Sequence, residues 1–470
     1  GGARAPPPPP PPPAAPPPPP PPPAPPAGGG PPPRLSSSPM KNKRRLLLAL
    51  AGAGLSGCAF PPARAGDAMY RAALDSARRH IRQEGDSVFG KPFLDAAFSK
   101  NIFLWDTCFL ACYAKYHPDL LPIANALDNF YTVQEADGHI CREYDSRGKP
   151  VWPKAHPVSV NPPLLAFAEL ELFDQSRDLD RLRRVYPALK RNFDYLRGYL
   201  VREDGLCFND ALGSGMDNIP RHPDGWRDDG QGIALTPRDS LPFDYNGLHP
   251  AWNVQGRAVD TSAQMALCAE NLARIARLAG RPDDAVDLLR FHAAMGQALN
   301  RLCWHEEDGF YYDLGYGQPI RRKHIGMFWM LLAGLVPQER VAPLLRHLTD
   351  PASFWRKVPV ATFPANQAGF TPEGGYWLGG VWAPTNYMVI RGLRRYGQQA
   401  LAAGLARSYY DCVAEVYRRT GTFWENYAPD AAAPGMPAKP DFCGWSAIAP
   451  ITLMREFIAP DRRVSLDATY

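Results

Sequence analysis

The feature that most constrains this chain is an alternation between two kinds of helical segment. From residue 66 onward, apolar periodicity marks twelve candidate helices, near 67–84, 104–116, 119–134, 161–175, 178–201, 258–279, 282–301, 323–335, 337–348, 380–396, 398–419 and 442–457. The odd-numbered ones, such as "RLRRVYPALKRNFDYLRGYL" and "PDDAVDLLRFHAAMGQALNRL", alternate apolar and charged positions at helical spacing, as helices with one face in water do. The even-numbered ones, such as "LWDTCFLACYAKY", "HIGMFWMLLAGL" and "FCGWSAIAPITLM", carry little charge and want burial on most sides. Almost nothing reads as a sustained strand.

The connections alternate as well. Links from even to odd helices are short, as in "HP" at 117–118, "SR" at 176–177 and "GR" at 280–281. Links from odd to even helices are long, near 85–103, 135–160, 202–257, 302–322, 349–379 and 420–441. Six helical hairpins, each with a buried inner and a solvated outer member, predict an all-α (α/α)6 toroid as a single catalytic domain over 66–470, with the long links gathered on one rim. The rival architecture, an α-solenoid, would show a fixed repeat period, and none is found.

The first 65 residues stand apart. Residues 1–39 are mostly Pro with Ala and Gly and cannot build a core; they are read as an over-extended start or a disordered extension. Met40 opens "MKNKRRLLLALAGAGLSGCAF", four cationic residues before a short apolar run, the layout of a signal peptide over 40–65. "LSGC" resembles a bacterial lipobox, which would lipidate Cys58 and anchor a periplasmic protein to a membrane, whereas Ala63 and Ala65 before Gly66 fit ordinary secretion. The net charge of +5 is spread among acids, so no nucleic-acid footprint appears. Nine cysteines include no CxxC pair, and no His or Cys cluster has zinc spacing, so neither metal nor cofactor is expected. Oligomeric state is not readable.

The long links hold the chemistry. "LWDTCF" opens the second helix, and the links carry "DGHICREYD", "PVWPKAHP", "GSGMDNIP", "DGFYYD", "EGGYWLGGVWAP" and "GTFWENYAPD". Aromatic rings stack on sugar faces while carboxylates and amides bind hydroxyls, so this mixture predicts a small carbohydrate as partner. Trp105, Trp152, Tyr376, Trp377, Trp382 and Trp424 are the stacking candidates, and Asp106 and Arg142 the polar ones. Glycosidic cleavage needs two carboxyl groups, one protonated and one ionised. Asp217, after residues without bulk, and Glu425, between Trp424 and Asn426, are the choices, with Glu373 as the alternative base. Glu143, Gln264 and Asn386 are weaker candidates with a structural role.

"SGMDNIP", "YWLGGVWAPTNYMVIRGL" and "FWENYAPD", with "FLWDTCF" before them and "FCGWSAIAP" after, resemble glycoside hydrolase family 63 and the related mannosylglycerate hydrolase-like enzymes, and more distantly family 37 trehalases. The likeness runs from about Phe103 to Phe457. It implies an inverting hydrolase of an α-glucosidic or α-mannosidic bond, with Asp217 as general acid and Glu425 as general base, or a trehalase on the same fold. It also implies sugar contacts at Trp105, Asp106, Tyr376, Trp377 and Trp382. The family pattern has Arg-Gly-Pro after "YW" where this chain has Leu378, Gly379 and Gly380, so a cation near the sugar is expected to be missing. The rival classes are a polysaccharide lyase built on His156, Lys154 and Tyr144, and a non-catalytic carbohydrate-binding protein.

Overall fold

In the computed structural model, residues 62–460 are described, apart from 84–87, 97–100, 153, 155–158, 210–212, 222–255, 316 and 443. Cys58 and His156 therefore lie outside the described residues, as do residues 40–61 of the leader expected over 40–65, whereas its last four residues belong to a helix that begins at Pro62.

Twelve helices run through the described residues. The outer set comprises α1 (Pro62–Arg79), α3 (Ile123–Thr132), α5 (Leu179–Leu200), α7 (Pro282–Leu302), α9 (Gln338–Thr349) and α11 (Gln399–Thr420). The inner set comprises α2 (Leu104–Ala114), α4 (Leu165–Ser176), α6 (Val259–Leu278), α8 (a 3₁₀ turn Ile325–Phe328 running into Trp329–Leu332), α10 (Ala383–Arg395) and α12 (Ser446–Ile448 with Ala449–Ile458). Every residue of α2 is buried, whereas α5 buries only the apolar face that includes Leu182, Val185, Leu189 and Phe193. Burial thus follows the charge alternation seen in the sequence.

Each inner helix packs on the next, and α12 packs back on α2, so the ring closes. Closure rules out the solenoid. Inner helices all start at the long-link end, which places six helix N-termini, with their partial positive charge, around one rim.

Helix ends depart from expectation where proline intervenes. α4 starts at Leu165 rather than 161 because Pro162 and Pro163 precede it, and α3 starts at Ile123 rather than 119, with Pro122 as its N-cap. The link between α2 and α3 is correspondingly longer than the expected two residues. α1 begins and ends earlier than expected, because Ile81–Arg82 leaves the helix to pair antiparallel with Phe93–Leu94. The strands are two-residue pairings confined to the long links.

The short-link end is held by buried charge. The Lys115 ammonium, just past α2, lies 2.5 Å from Glu171 of α4 and 3.5 Å from Glu456 of α12. Arg391 of α10 donates to the other oxygen of Glu171 at 2.8 Å, and Tyr387 and Tyr116 donate to Glu456 at 2.9 and 2.8 Å. Arg395 of α10 extends the network to Glu270 of α6 and to the Leu332 carbonyl at the end of α8. Burial pushes the Glu171 carboxyl up, but Arg391 and Lys115 outweigh it and hold the group at about 2. Removing one partner of such a network strands the others in the interior. Lys115→Met is therefore expected to destabilise the fold by about 3–5 kcal/mol, read from the midpoint shift in urea unfolding.

Candidate active site

The first turn of α2 is aimed by a small antiparallel pairing, Ile102 opposite Tyr144 and Phe103 opposite Glu143, extended by Leu104 N–H donating to the Arg142 carbonyl at 3.0 Å. It brings Trp105 and Asp106 alongside Arg142. The Arg142 guanidinium lies 5.2 Å from the centre of the Trp152 ring, and the indole N–H of Trp152 donates to Glu143 at 2.9 Å.

The loop 213–221 presents Asp217. Gly213 leaves room for Asn209, since a Cβ there would lie 2.0 Å from the Asn209 amide oxygen. Gly215 has φ +79°, and a Cβ on it would sit 3.0 Å from the Trp105 ring. The Gly-Ser-Gly lead-in therefore serves close approach as well as a sharp bend. Asn218 clamps the loop across the rim, its amide donating to the Gly375 carbonyl and accepting from the Trp377 N–H, both at 3.0 Å. Behind it, Arg221 pairs with Asp260 at the start of α6 and, at 3.0 Å, with Asp313, which also contacts the His324 ring.

Glu425 is 2% exposed. Its backbone N–H donates to the Lys439 carbonyl at 2.9 Å, and its carboxylate accepts from the Lys439 N–H and from the Tyr376 hydroxyl, each at 3.3 Å. Tyr376 is held at φ +62°, a left-handed conformation rare for an aromatic residue. Its carbonyl accepts from Trp382 at 3.0 Å, and Trp382 is stacked on Trp377 with ring centres 3.9 Å apart.

Asp106, Asp217 and Glu425 lie within electrostatic reach of one another. Desolvation is the main cause that raises all three: Asp106 well above the carboxylate range, half-buried Asp217 to about 6 and Glu425 to about 7. Mutual repulsion adds to the rise of Asp106 and Glu425, and Glu143 adds to that of Asp217. Arg142 opposes it at Asp106 and Asp217, and Lys439 opposes it at Asp217 and Glu425. The expectation that cation near the site is missing is thus corrected: positive charge arrives from two other links rather than from the segment after "YW". Lys439 was not legible in the sequence, because a single Lys in "MPAKPD" has no pattern to mark it.

Other expected residues fall elsewhere. The Trp424 indole N–H is turned to Thr420 in the last turn of outer helix α11. Trp382 is fully buried, with Trp377 on one face and Tyr376 and Trp445 edge-on, so it carries Tyr376 rather than offering an open platform. Trp152 packs on Arg142. Glu373 is exposed, and the Asn386 side chain is spent on the Val360 N–H and the Trp382 carbonyl. Of the lyase set, Tyr144 is in the core, accepting from the Cys141 N–H, and Lys154 is paired with Glu135 and Asp137. Among the described residues no group of His, Cys, Asp or Glu could hold a metal ion, and no helix is long and apolar enough to cross a membrane.

A closed ring of six helical hairpins with three carboxyls gathered at its long-link rim defines a glycosidase-type (α/α)6 domain. The chain belongs to the family described as the mannosylglycerate hydrolase MGH1-like glycoside hydrolase domain, whose profile matches residues 100–446. Among curated relatives, a probable mannosyl-oligosaccharide glucosidase of Schizosaccharomyces pombe is 26% identical over 61% of this chain and 36% of that protein. A mannosylglycerate hydrolase of Thermus thermophilus is 36% identical over 25% of this chain and 31% of that protein. The first relatives are thus matched over less than two thirds of their length. The crystal structure of a family 63 mannosylglycerate hydrolase from Thermus thermophilus with glucose has a TM-score of 0.62 at 21% identity, covering 82% of this chain and 99% of that one. At that identity the likeness bears on the fold.

In the reading proposed below, with Asp217 as acid and Glu425 as base, activity falls on the acid side as Glu425 takes up a proton and on the alkaline side as Asp217 loses one. A bell-shaped kcat/KM profile centred between about 6 and about 7 is expected, measured by initial rates across pH.

Proposed function

We propose that this protein is an inverting glycoside hydrolase acting on the α-glucosidic or α-mannosidic bond of a small glycoside. The observation that carries the reading is the gathering of Asp217 and Glu425, from different long links, into one desolvated cluster with Asp106. In this reading Asp217 protonates the leaving oxygen while Glu425 takes a proton from the attacking water on the opposite face. The Tyr376 hydroxyl and the Lys439 backbone fix the orientation of the base. Asp106, kept neutral by burial and by its acidic neighbours, donates or accepts at a sugar hydroxyl, and Trp105 and Tyr376 shape the ring subsite, with Trp377 buried behind them. Inversion requires room for water, so a separation of about 6.5–9.5 Å between the two carboxyls goes with this mechanism.

Asp217→Asn and Glu425→Gln are each expected to lower kcat by about 10²–10⁴-fold while the folded state is retained by circular dichroism. On a panel of α-linked substrates that includes trehalose, mannosylglycerate and glucosylglycerate, proton NMR should show the β anomer first. An α product first, an unsaturated uronide, or binding without turnover would each replace the reading. Export through a lipidated Cys58 is part of the same proposal, supported by the charged and apolar leader and by relatives named periplasmic trehalases. Labelled fatty acid should be incorporated in a bacterial host and lost in Cys58→Ala.

A further inference from the structure

Asp217 has to be aimed as well as desolvated, because a general acid works only within hydrogen-bond reach of the oxygen it protonates. Its loop is held at three places. Gly213 lies against Asn209, whose amide donates to the Thr261 hydroxyl of α6 at 2.8 Å. Asn218 clamps the middle to Gly375 and Trp377. Arg221 holds the far end, four residues after Asp217.

Arg221 is buried, and its guanidinium meets the Asp260 carboxylate fork to fork, one Nη lying 3.0 Å from one of the oxygens. The same Nη donates to Asp313 at 3.0 Å. With its other oxygen Asp313 accepts from the N–H of Val259, the first residue of α6, at 2.8 Å. The His324 ring stands 3.1 Å from Asp313, and its second nitrogen accepts from the Gly326 N–H in the first turn of α8 at 3.2 Å. Burial pushes the Asp313 carboxyl up, but Arg221 and His324 outweigh it and hold the group below its usual range. The cluster is also tight, since a Cβ at Gly326 would lie 2.8 Å from both the Asp260 carboxylate and the His324 ring. Arg221 is thus fastened to the first turns of two inner helices.

Little slack separates Arg221 from Asp217. The Ile219 N–H donates to the Met216 carbonyl at 3.0 Å, closing a turn around Asp217, and the Ile219 side chain is fully buried. Pro220 follows with its φ locked by the ring. A displacement at 221 is therefore passed to 217 rather than absorbed. Buried ion clusters are weak sources of net stability, but this one is satisfied in a single geometry only.

We propose that Arg221 is a positioning residue for the general acid: its fork on Asp260 and Asp313 holds the Asp217 carboxyl in line with the leaving oxygen, and it touches no sugar itself. The assignment rests on the glycosidase reading. It ties the acid half of the reaction to α6 and α8, whereas the base, Glu425, is oriented by Tyr376 and Lys439 from other links.

The test separates the two halves. An α-glycosyl fluoride needs no proton on its leaving group: the C–F bond breaks with its electron pair to give fluoride, water adds at the anomeric carbon, and the proton that the water loses goes to Glu425. The full chain is compared with Arg221→Lys, which keeps the charge but not the fork, with Asp313→Asn, which weakens the same anchor, and with Asp217→Asn as the benchmark. For each, kcat is measured on the best α-linked O-glycoside of the panel and on the α-glucosyl or α-mannosyl fluoride, with folding read by circular dichroism. The expected result for Arg221→Lys and Asp313→Asn is a loss of roughly 10- to 100-fold on the O-glycoside with the fluoride rate little changed, the same selective pattern as Asp217→Asn. Equal losses on both substrates in folded variants overturn the assignment, as do unchanged rates on both. Failure of both variants to fold overturns it too, since the cluster is then structural. If Asp217→Asn leaves O-glycoside turnover intact, or the wild-type chain turns over neither substrate, the glycosidase reading with Asp217 as acid falls and the assignment with it. If Asp217→Asn shows the selective loss and the other two do not, only the assignment falls.

Discussion

The ring depends on the charge network at its short-link end. Lys115, Glu171, Arg391, Glu456, Arg395 and Glu270 connect inner helices that share no short loop, and the Leu332 carbonyl brings in α8. Apolar packing alone is non-directional and would tolerate several ways of arranging six inner helices. Buried ion pairs are weak evidence of net stability, but a mispaired arrangement would leave a charge stranded, so they favour one order of helices. With one end tied, the N-terminal ends are free to hold long loops.

Those loops work at an end of the ring that is already electropositive. Six inner helix N-termini point there, and Arg142 and Lys439 add full charges. Against this, desolvation still wins at Asp106, Asp217 and Glu425, and all three end above their usual range. The balance matters for chemistry at neutral pH. Burial raises all three carboxyls, and Arg142 and Lys439 limit the rise.

Much of this was legible in advance. The inner and outer identity of each helix followed from its charge, because a lone charged side chain cannot be left unpaired inside the ring, and the helix cores agree with the sequence reading to within a few residues. Errors gathered at helix starts near Pro122, Pro162 and Pro163, where apolar content and backbone freedom disagree. The two carboxyls were legible because Gly-rich and aromatic neighbours mark them. Trp424 misled because its motif adjoins Glu425 in sequence, while successive side chains in extended chain point opposite ways. Lys439 was missed because it does not depart from its local composition.

The sequence by itself determined the helical hairpins, the rim on which the long loops gather and the motifs that carry the acids. These depend on periodicity, loop length and local turn chemistry, which neighbouring residues settle. Tertiary structure alone decided which cations reach which carboxyl, how far each acid is desolvated, and which buried polar atoms lack a partner among the described residues. Those quantities depend on distances between residues up to hundreds of positions apart. Only closure of the ring sets them.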